Sequence, residues 1–132
     1  MPSHLVFDVN ETLLDMTPLD EFIQGLSGEA GLAPHWFGLL KESWMVATLV
    51  DNYRPFDELA RAALASLGSQ RTFAVTEADQ QKLIDRLTHL PPHPEVAGAL
   101  GRLAEAGHLL SAFSNGTGPA LATQLEAAGL RE

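Results

Sequence analysis

The stretch LVFDVNETLLD, residues 5–15, decides the architecture, because an apolar run gives way to polar residues at an acid. LVFDV is rich in β-formers, too short for a helix, and apolar enough to suit a strand buried on both faces. It reads as a central strand. A second run of this kind is LLSAF, residues 109–113, which passes straight into the polar loop SNGTG. Each run leads through a loop to a helical pattern, and strand, loop and helix in repetition is the logic of an α/β domain. In an open parallel sheet, ligands collect beyond the carboxyl ends of the strands, so these two loops are where chemistry is expected.

Between the two runs the periodicity is helical throughout. Thr17 and Pro18 form an N-cap and first-turn pair for a helix carrying Phe22, Ile23 and Leu26, stopped by Ser27 and Gly28. Pro34 opens a second, in which Trp36, Leu39, Leu40, Trp44, Leu49 and Val50 recur as one apolar stripe before Asn52 and Pro55. Residues 56–67 repeat the pattern. Thr76 with Asp79 resembles a capping box, and Leu83, Ile84 and Leu87 stripe a fourth helix. With no strand among them, residues 15–89 read as a helical cap inserted into an α/β core made of residues 1–14 and 90–132, packed over the strand ends. LPPHPEV, residues 90–96, is a rigid joint, with Pro94 as the first residue of a fifth helix that Gly107 caps. A last helix carries Leu121 and Leu125 and ends at Gly129.

Composition narrows the function. The 132 residues are 45% apolar and 19% charged, which is one soluble globular core that needs no staple. The sequence has no cysteine, so thiol chemistry and thiolate metal sites are excluded. Eight basic against seventeen acidic residues give a net charge of −9, which repels a phosphate backbone. Nucleic acid is not an expected partner, and neither is a membrane: no apolar run approaches the ~20 residues that span a bilayer. The start MPSHLVFDVN lacks the pattern of a signal peptide, which makes the cytoplasm the expected location. His4, His35, His89, His93 and His108 are scattered without paired spacing, so no histidine metal site is expected.

The candidate residues lie in the two loops. An acid where an apolar strand ends is held rigidly and aimed at a cleft, as a carboxylate nucleophile must be, and Asp8 is that acid. A solvated strand end or an Asx-turn is the plainer reading of the same residue. Thr12 is either a turn hydroxyl or a partner of Asp8. Ser114 and Asn115 either contact a ligand or serve as the N-cap region of the last helix.

FDVNETLLD, residues 7–15, and FSNG, residues 113–116, resemble the first and second motifs of the haloacid dehalogenase superfamily. The Trp36 helix, NYRPF (52–56), LPPHPEV (90–96) and LEAAGL (125–130) are similar to its type II (S)-2-haloacid dehalogenase branch, so the resemblance covers the whole chain. It implies a Rossmann-like parallel sheet core, incomplete here, with an inserted helical cap. It also implies that Asp8 attacks the α-carbon of a 2-haloacid, displaces halide with inversion and forms an ester that water opens. Thr12 would orient Asp8, the backbone around Val9 and Asn10 with Ser114 would hold the substrate carboxylate, and Asn115 would face the halide. No cofactor is implied, since magnesium belongs only to the superfamily's phosphatases. Those enzymes carry a general acid two residues after the nucleophile, where this chain has Asn10. An amide cannot donate that proton, and halide leaves without one.

Three departures accompany the resemblance. Dehalogenases of this type run to well over two hundred residues and use a third-motif lysine and fourth-motif residues that position water. The two lysines here, Lys41 and Lys82, and the last aspartate, Asp85, all precede the second strand, and the expectation is a truncated form of a longer enzyme. Exposed strand edges would then favour self-association, with a homodimer as the expected assembly. The family also places a cap arginine beside a tryptophan, where an ungapped reading finds Phe37, with Arg54 the nearest cation. The alternatives are a non-catalytic fragment or interaction module and a magnesium-dependent phosphatase-like relative.

Overall fold

In the computed structural model, which describes residues 1–131, the elements run β1 (His4–Asp8), α1 (Thr17–Ser27), α2 (Ala33–Leu49), α3 (Phe56–Arg71), α4 (Glu77–Thr88), α5 (Val96–Glu105), β2 (Leu109–Phe113) and α6 (Gly118–Ala127). The chain is α/β, with a two-stranded parallel sheet and six helices among the described residues. It divides into two compact units. One comprises Met1–Met16 with residues 88–131, and the other Thr17–Leu87. Among the described residues no helix is long and apolar enough to cross a membrane.

In the α/β unit the strands pair in parallel, from His4 beside Leu109 to Asp8 beside Phe113. A side-chain bond between His4 Nε2 and Ser111 Oγ, 2.7 Å, joins the strands near their start. Side chains alternate along a strand, so His4, Val6 and Asp8 share one face with Leu109, Ser111 and Phe113, while Leu5, Phe7, Leu110 and Ala112 share the other. The second face is half-buried, with α5 packed against β2. The first face departs from the expectation of a strand covered on both sides: Val6, Leu109 and Phe113 are each more than 60% exposed. An all-apolar strand carries the same letters whether one face or two are covered, so composition could not tell the cases apart. Val9 ends the apolar run beyond the strand proper and is fully buried.

The helical unit has its own core. Leu19 and Ile23 of α1, Trp36 and Leu40 of α2, Leu64 and Leu67 of α3 and Leu83 of α4 have no solvent exposure. The Trp36 indole N–H donates to the Ala60 carbonyl of α3 at 3.1 Å, so the largest buried side chain leaves no polar atom unpaired. The expected stripe of α2 splits at its middle. Its first half supplies the core, whereas Leu49 and Val50 point to solvent. The helix α3 runs one turn past Leu67 to Arg71 and ends on Thr72, which takes the left-handed conformation. At Gly68 an added Cβ would meet the Val75 side chain at 2.7 Å and the Phe73 carbonyl at 2.9 Å, so the returning chain lies against that turn. Helix α5 starts at Val96, two residues after Pro94, which sits in a preceding turn.

The start of α4 is a capping box as the spacing predicts. The Asp79 amide donates to Thr76 Oγ1 (3.2 Å), while the Thr76 amide (3.0 Å) and hydroxyl (2.7 Å) donate to Asp79 Oδ2. These bonds, the hydroxyl's foremost, hold the Asp79 carboxyl below its ordinary pKa. A lowered carboxyl pKa stabilises the fold above the ordinary carboxylate range, near pH 4, and that contribution fades as pH falls through the lowered value. The urea midpoints of the wild type and Asp79→Asn are therefore expected to differ slightly at neutral pH and to converge in acid. A midpoint difference that widens in acid would contradict the box. Leu64→Ala, in the core of the helical unit, is expected to cost about 2–5 kcal/mol in denaturant titration.

Candidate active site

The loop after β1 is a compact turn built on backbone bonds. Leu13 and Leu14 amides both donate to the Val9 carbonyl (2.8 and 3.0 Å), and Glu11 donates to the Leu14 carbonyl (3.0 Å). Glu11 stands at φ 70°, a left-handed conformation that costs a non-glycine residue on the order of 1 kcal/mol or more and persists only where surroundings impose it. The surroundings here are the Pro-rich joint. Asp15 donates to the Pro91 carbonyl (2.8 Å), His93 donates its amide to the Leu13 carbonyl (3.0 Å), and the His93 ring Nε2 bonds the Glu11 carbonyl (3.0 Å). A ring nitrogen facing a carbonyl must carry the proton, which sets the tautomer of His93 whenever it is neutral. His93 is thereby a structural residue of the loop.

This clamp fixes the polar side chains. The Thr12 hydroxyl donates to Asp8 Oδ2 at 3.0 Å, which orients the carboxylate at the end of β1 and leaves the carboxylate exposed. Asn10, half-buried, accepts at Oδ1 from Gln124 Nε2 of α6 (3.1 Å), which ties the first loop to the helix that follows the second. Val9 sits wholly buried beneath, so the backbone between Asp8 and Asn10 is anchored from below.

The register that sets Asp8 beside Phe113 starts the second loop next to the first. Ser114 is half-buried, and its Oγ accepts from the Gly116 amide (3.2 Å), which leaves its hydroxyl proton to donate elsewhere. Asn115 is exposed. The N-cap of α6 is Thr117, whose Oγ1 accepts from the Ala120 amide at 3.4 Å. Ser114 and Asn115 therefore precede the capping residue itself.

Asp8, the last residue of β1, and Val9, Asn10, Thr12, Ser114 and Asn115 in the two loops thus all lie at the carboxyl ends of the strands. Gln124 and His93 complete the arrangement, and sequence reasoning found the partner of neither. Their partners lie 114 and 82 residues away, and no local pattern signals either pairing. Phe37 and Arg54 lie in the other unit: Phe37 packs edge-on to Trp44, under the Lys41 ammonium, and Arg54 pairs with Glu58 at 2.9 Å. A separate apolar groove of about 530 Å3, lined by Phe7, Leu13, Leu100, Leu110, Leu125 and Leu130 among others, opens between the sheet, α5 and α6 and includes none of the six candidate residues. Among the described residues no three acidic or histidine side chains gather as a set of metal ligands.

What these loops can do chemically is hold a carboxylate oxygen in one orientation and surround it with hydrogen-bond donors. His93→Ala would free the Glu11 carbonyl and loosen the turn. Amide exchange at Leu13 and Leu14 is expected to rise about tenfold, the worth of one hydrogen bond, with the β2 amides unchanged. Equal exchange in both proteins would show that the ring does not restrain the loop.

No family model matches the chain. Among curated proteins it is 28% identical over 116 residues to (S)-2-haloacid dehalogenase H-109 of Pseudomonas putida, covering 86% of this chain and 51% of that enzyme. The chain thus spans about half the length of the curated relative it matches. Among solved structures, the L-2-haloacid dehalogenase RSc1362 superposes with a TM-score of 0.88 at 22% identity, over 98% of this chain and 60% of that one. The L-2-haloacid dehalogenase of Xanthobacter autotrophicus superposes with a TM-score of 0.82 at 24% identity, over 98% and 53%. The same enzyme with chloropropionic acid covalently bound gives a TM-score of 0.81 at the same identity and coverage. The two motif loops, the fold and the sequence likeness agree: the chain has the fold of the 2-haloacid dehalogenases and resembles them in sequence.

Proposed function

We propose that Asp8 is the nucleophile of a hydrolytic dehalogenation of (S)-2-haloalkanoic acids. The observation that carries this reading is the Thr12 hydroxyl bonded to one oxygen of an exposed carboxylate at the end of β1 (3.0 Å), with the loop after β2 alongside. Thr12 holds Oδ2, which leaves Oδ1 as the attacking atom. That oxygen forms a bond to the α-carbon from the side opposite the halogen, and the halide departs with the bonding pair, so the centre inverts. Water then adds to the carboxyl carbon of the ester and releases the 2-hydroxy acid. Overall one water is consumed, and one halide and one proton are produced.

Two anionic groups need donors during this sequence, and the net charge of −9 makes a local source necessary. The backbone N–H groups at Val9 and Asn10 and the Ser114 hydroxyl serve the substrate carboxylate, and Asn115 serves the departing halide. The Gln124 bond to Asn10 Oδ1 directs the Asn10 N–H2 group away from Gln124. An amide at this position supplies no proton to a leaving group, which favours displacement at carbon over phosphoryl transfer. The covalently bound chloropropionic acid in the Xanthobacter enzyme is consistent with an ester intermediate in a chain of the same fold.

The test is halide release from (S)- and (R)-2-chloropropionate by the full open reading frame that encodes this chain, with p-nitrophenyl phosphate as the competing substrate class. Release from the (S) isomer alone is expected. Asp8→Ala is expected to remove at least about a thousandfold of kcat. Thr12→Val is expected to lower kcat about tenfold with KM little changed, because it frees a carboxylate that must be aimed only in the transition state. Phosphate ester turnover without halide release would refute the reading, as would halide release undiminished in Asp8→Ala.

A further inference from the structure

A primary amide has two ends of nearly the same shape and opposite chemistry: a carbonyl that accepts and an N–H2 group that donates. Beside an anion, a half-turn of such a group converts attraction into repulsion, so the bond that sets its direction sets the sign of its effect. At Asn10 that bond comes from α6. Gln124 Nε2 donates to Asn10 Oδ1 at 3.1 Å, which occupies the accepting end and points the donating end elsewhere. Among the described residues nothing accepts from the Asn10 N–H2 group, and it is not sealed from solvent. The backbone on either side is fixed as well. Val9 is fully buried, and the Glu11 amide donates to the Leu14 carbonyl at 3.0 Å. Asn10 is therefore an aimed donor with no partner in the chain, two residues from Asp8.

We infer that Gln124 is a positioning residue, which holds the Asn10 N–H2 group as a second donor, beside Asn115, to the departing halide; this rests on the reading of Asp8 as the nucleophile. A halide shed into water gains several O–H donors, and Asn115 alone replaces them poorly. A further donor in place before the carbon–halogen bond breaks lowers the barrier. The substrate carboxylate already has the Val9 and Asn10 backbone N–H groups and the Ser114 hydroxyl, so the halide is the anion short of partners. Neither loop carries a lysine or arginine, and the donors they offer are neutral. Neutral donors suit the position: a cation two residues from Asp8 would pair with its carboxylate and blunt the attack, whereas an amide leaves the nucleophile its charge. Helix α6 follows directly on the loop that carries Asn115, so a single bond relates the two amides.

The test uses the full open reading frame and (S)-2-chloropropionate. Gln124→Glu keeps the size of the side chain but offers only acceptors, so it draws the Asn10 N–H2 group onto itself and turns the Asn10 carbonyl toward the halide. The saturating single-turnover rate of halide release is expected to fall about ten- to a hundredfold, the worth of a hydrogen bond to an ion, with half-saturation little changed. Gln124→Met, which leaves the Asn10 side chain free to turn, is expected to lie between that variant and the wild type. A double-mutant cycle separates the added charge: with Asn10→Ala already present, Gln124→Glu is expected to change the rate less than about twofold. A purely structural Gln124 would make Met the more harmful replacement, and a direct charge effect would persist without the Asn10 side chain. Either result would overturn the inference, as would weaker half-saturation at an unchanged maximal rate, which would place the amide on the substrate carboxylate. Binding is read without turnover from the nitrogen–proton NMR signals of the Asn10 side chain, identified by their loss in Asn10→Ala. They are expected to move on titration with sodium bromide in the wild type and to stay still in Gln124→Glu. Undiminished halide release in Asp8→Ala refutes the nucleophile, whereas Asn10 signals indifferent to bromide overturn the role of Gln124, so the two failures are told apart.

Discussion

The parallel pairing of β1 with β2 is the constraint on which the candidate site depends. Neither loop is a site alone. The first presents a carboxylate and a hydroxyl, the second a hydroxyl and an amide, and only the register that sets Asp8 beside Phe113 makes them neighbours. Because side chains alternate along a strand, a slip of one residue would turn Asp8 to the opposite face and replace it with a residue of the other parity. The hydrogen bonds of the ladder therefore do more than stabilise a small sheet: they convert two points 105 residues apart in sequence into adjacent positions.

A second layer of restraint acts on the first loop. Three hydrogen bonds from the Pro-rich joint and one from Gln124 hold a turn that contains a left-handed Glu11. Proline at positions 91, 92 and 94 limits the freedom of the joint before folding, so less entropy is lost when it becomes a brace. The Thr12 bond to Asp8 thus sits on a rigid base. This is the physical requirement for aiming a nucleophile, since a carboxylate free to rotate spends most of its time in unproductive orientations.

Much of this was legible in the letters. β2 lies where its apolar run predicts, the Thr76 and Asp79 box forms as its spacing implies, and the six candidate residues lie at the carboxyl ends of the two strands. Local chemistry encodes each of these. What escaped prediction depends on distant partners. Pro94 reads as the first helical residue, yet the helix waits until Val96 because the residues before it are bonded to the loop after β1. Gln124 of α6 donates to Asn10, a pairing 114 residues apart that no local pattern announces. The apolar stripe of α2 looks continuous from Trp36 to Val50, and nothing in its period reveals that its second half faces solvent. Burial on one face of β1 has the same cause, because hydrophobicity states that a residue is suited to cover without naming what covers it.

The central claim is that the side chain of Asp8 becomes covalently joined to substrate and is regenerated by water. Single turnover of (S)-2-chloropropionate in water enriched in heavy oxygen, followed by mass spectrometry of the peptide containing residue 8, reads that event directly. The account predicts label in the Asp8 carboxyl group and unlabelled oxygen in the first-turnover hydroxy acid. Label found in the product alone, with Asp8 unlabelled, would mean that water attacks the substrate itself and would contradict it.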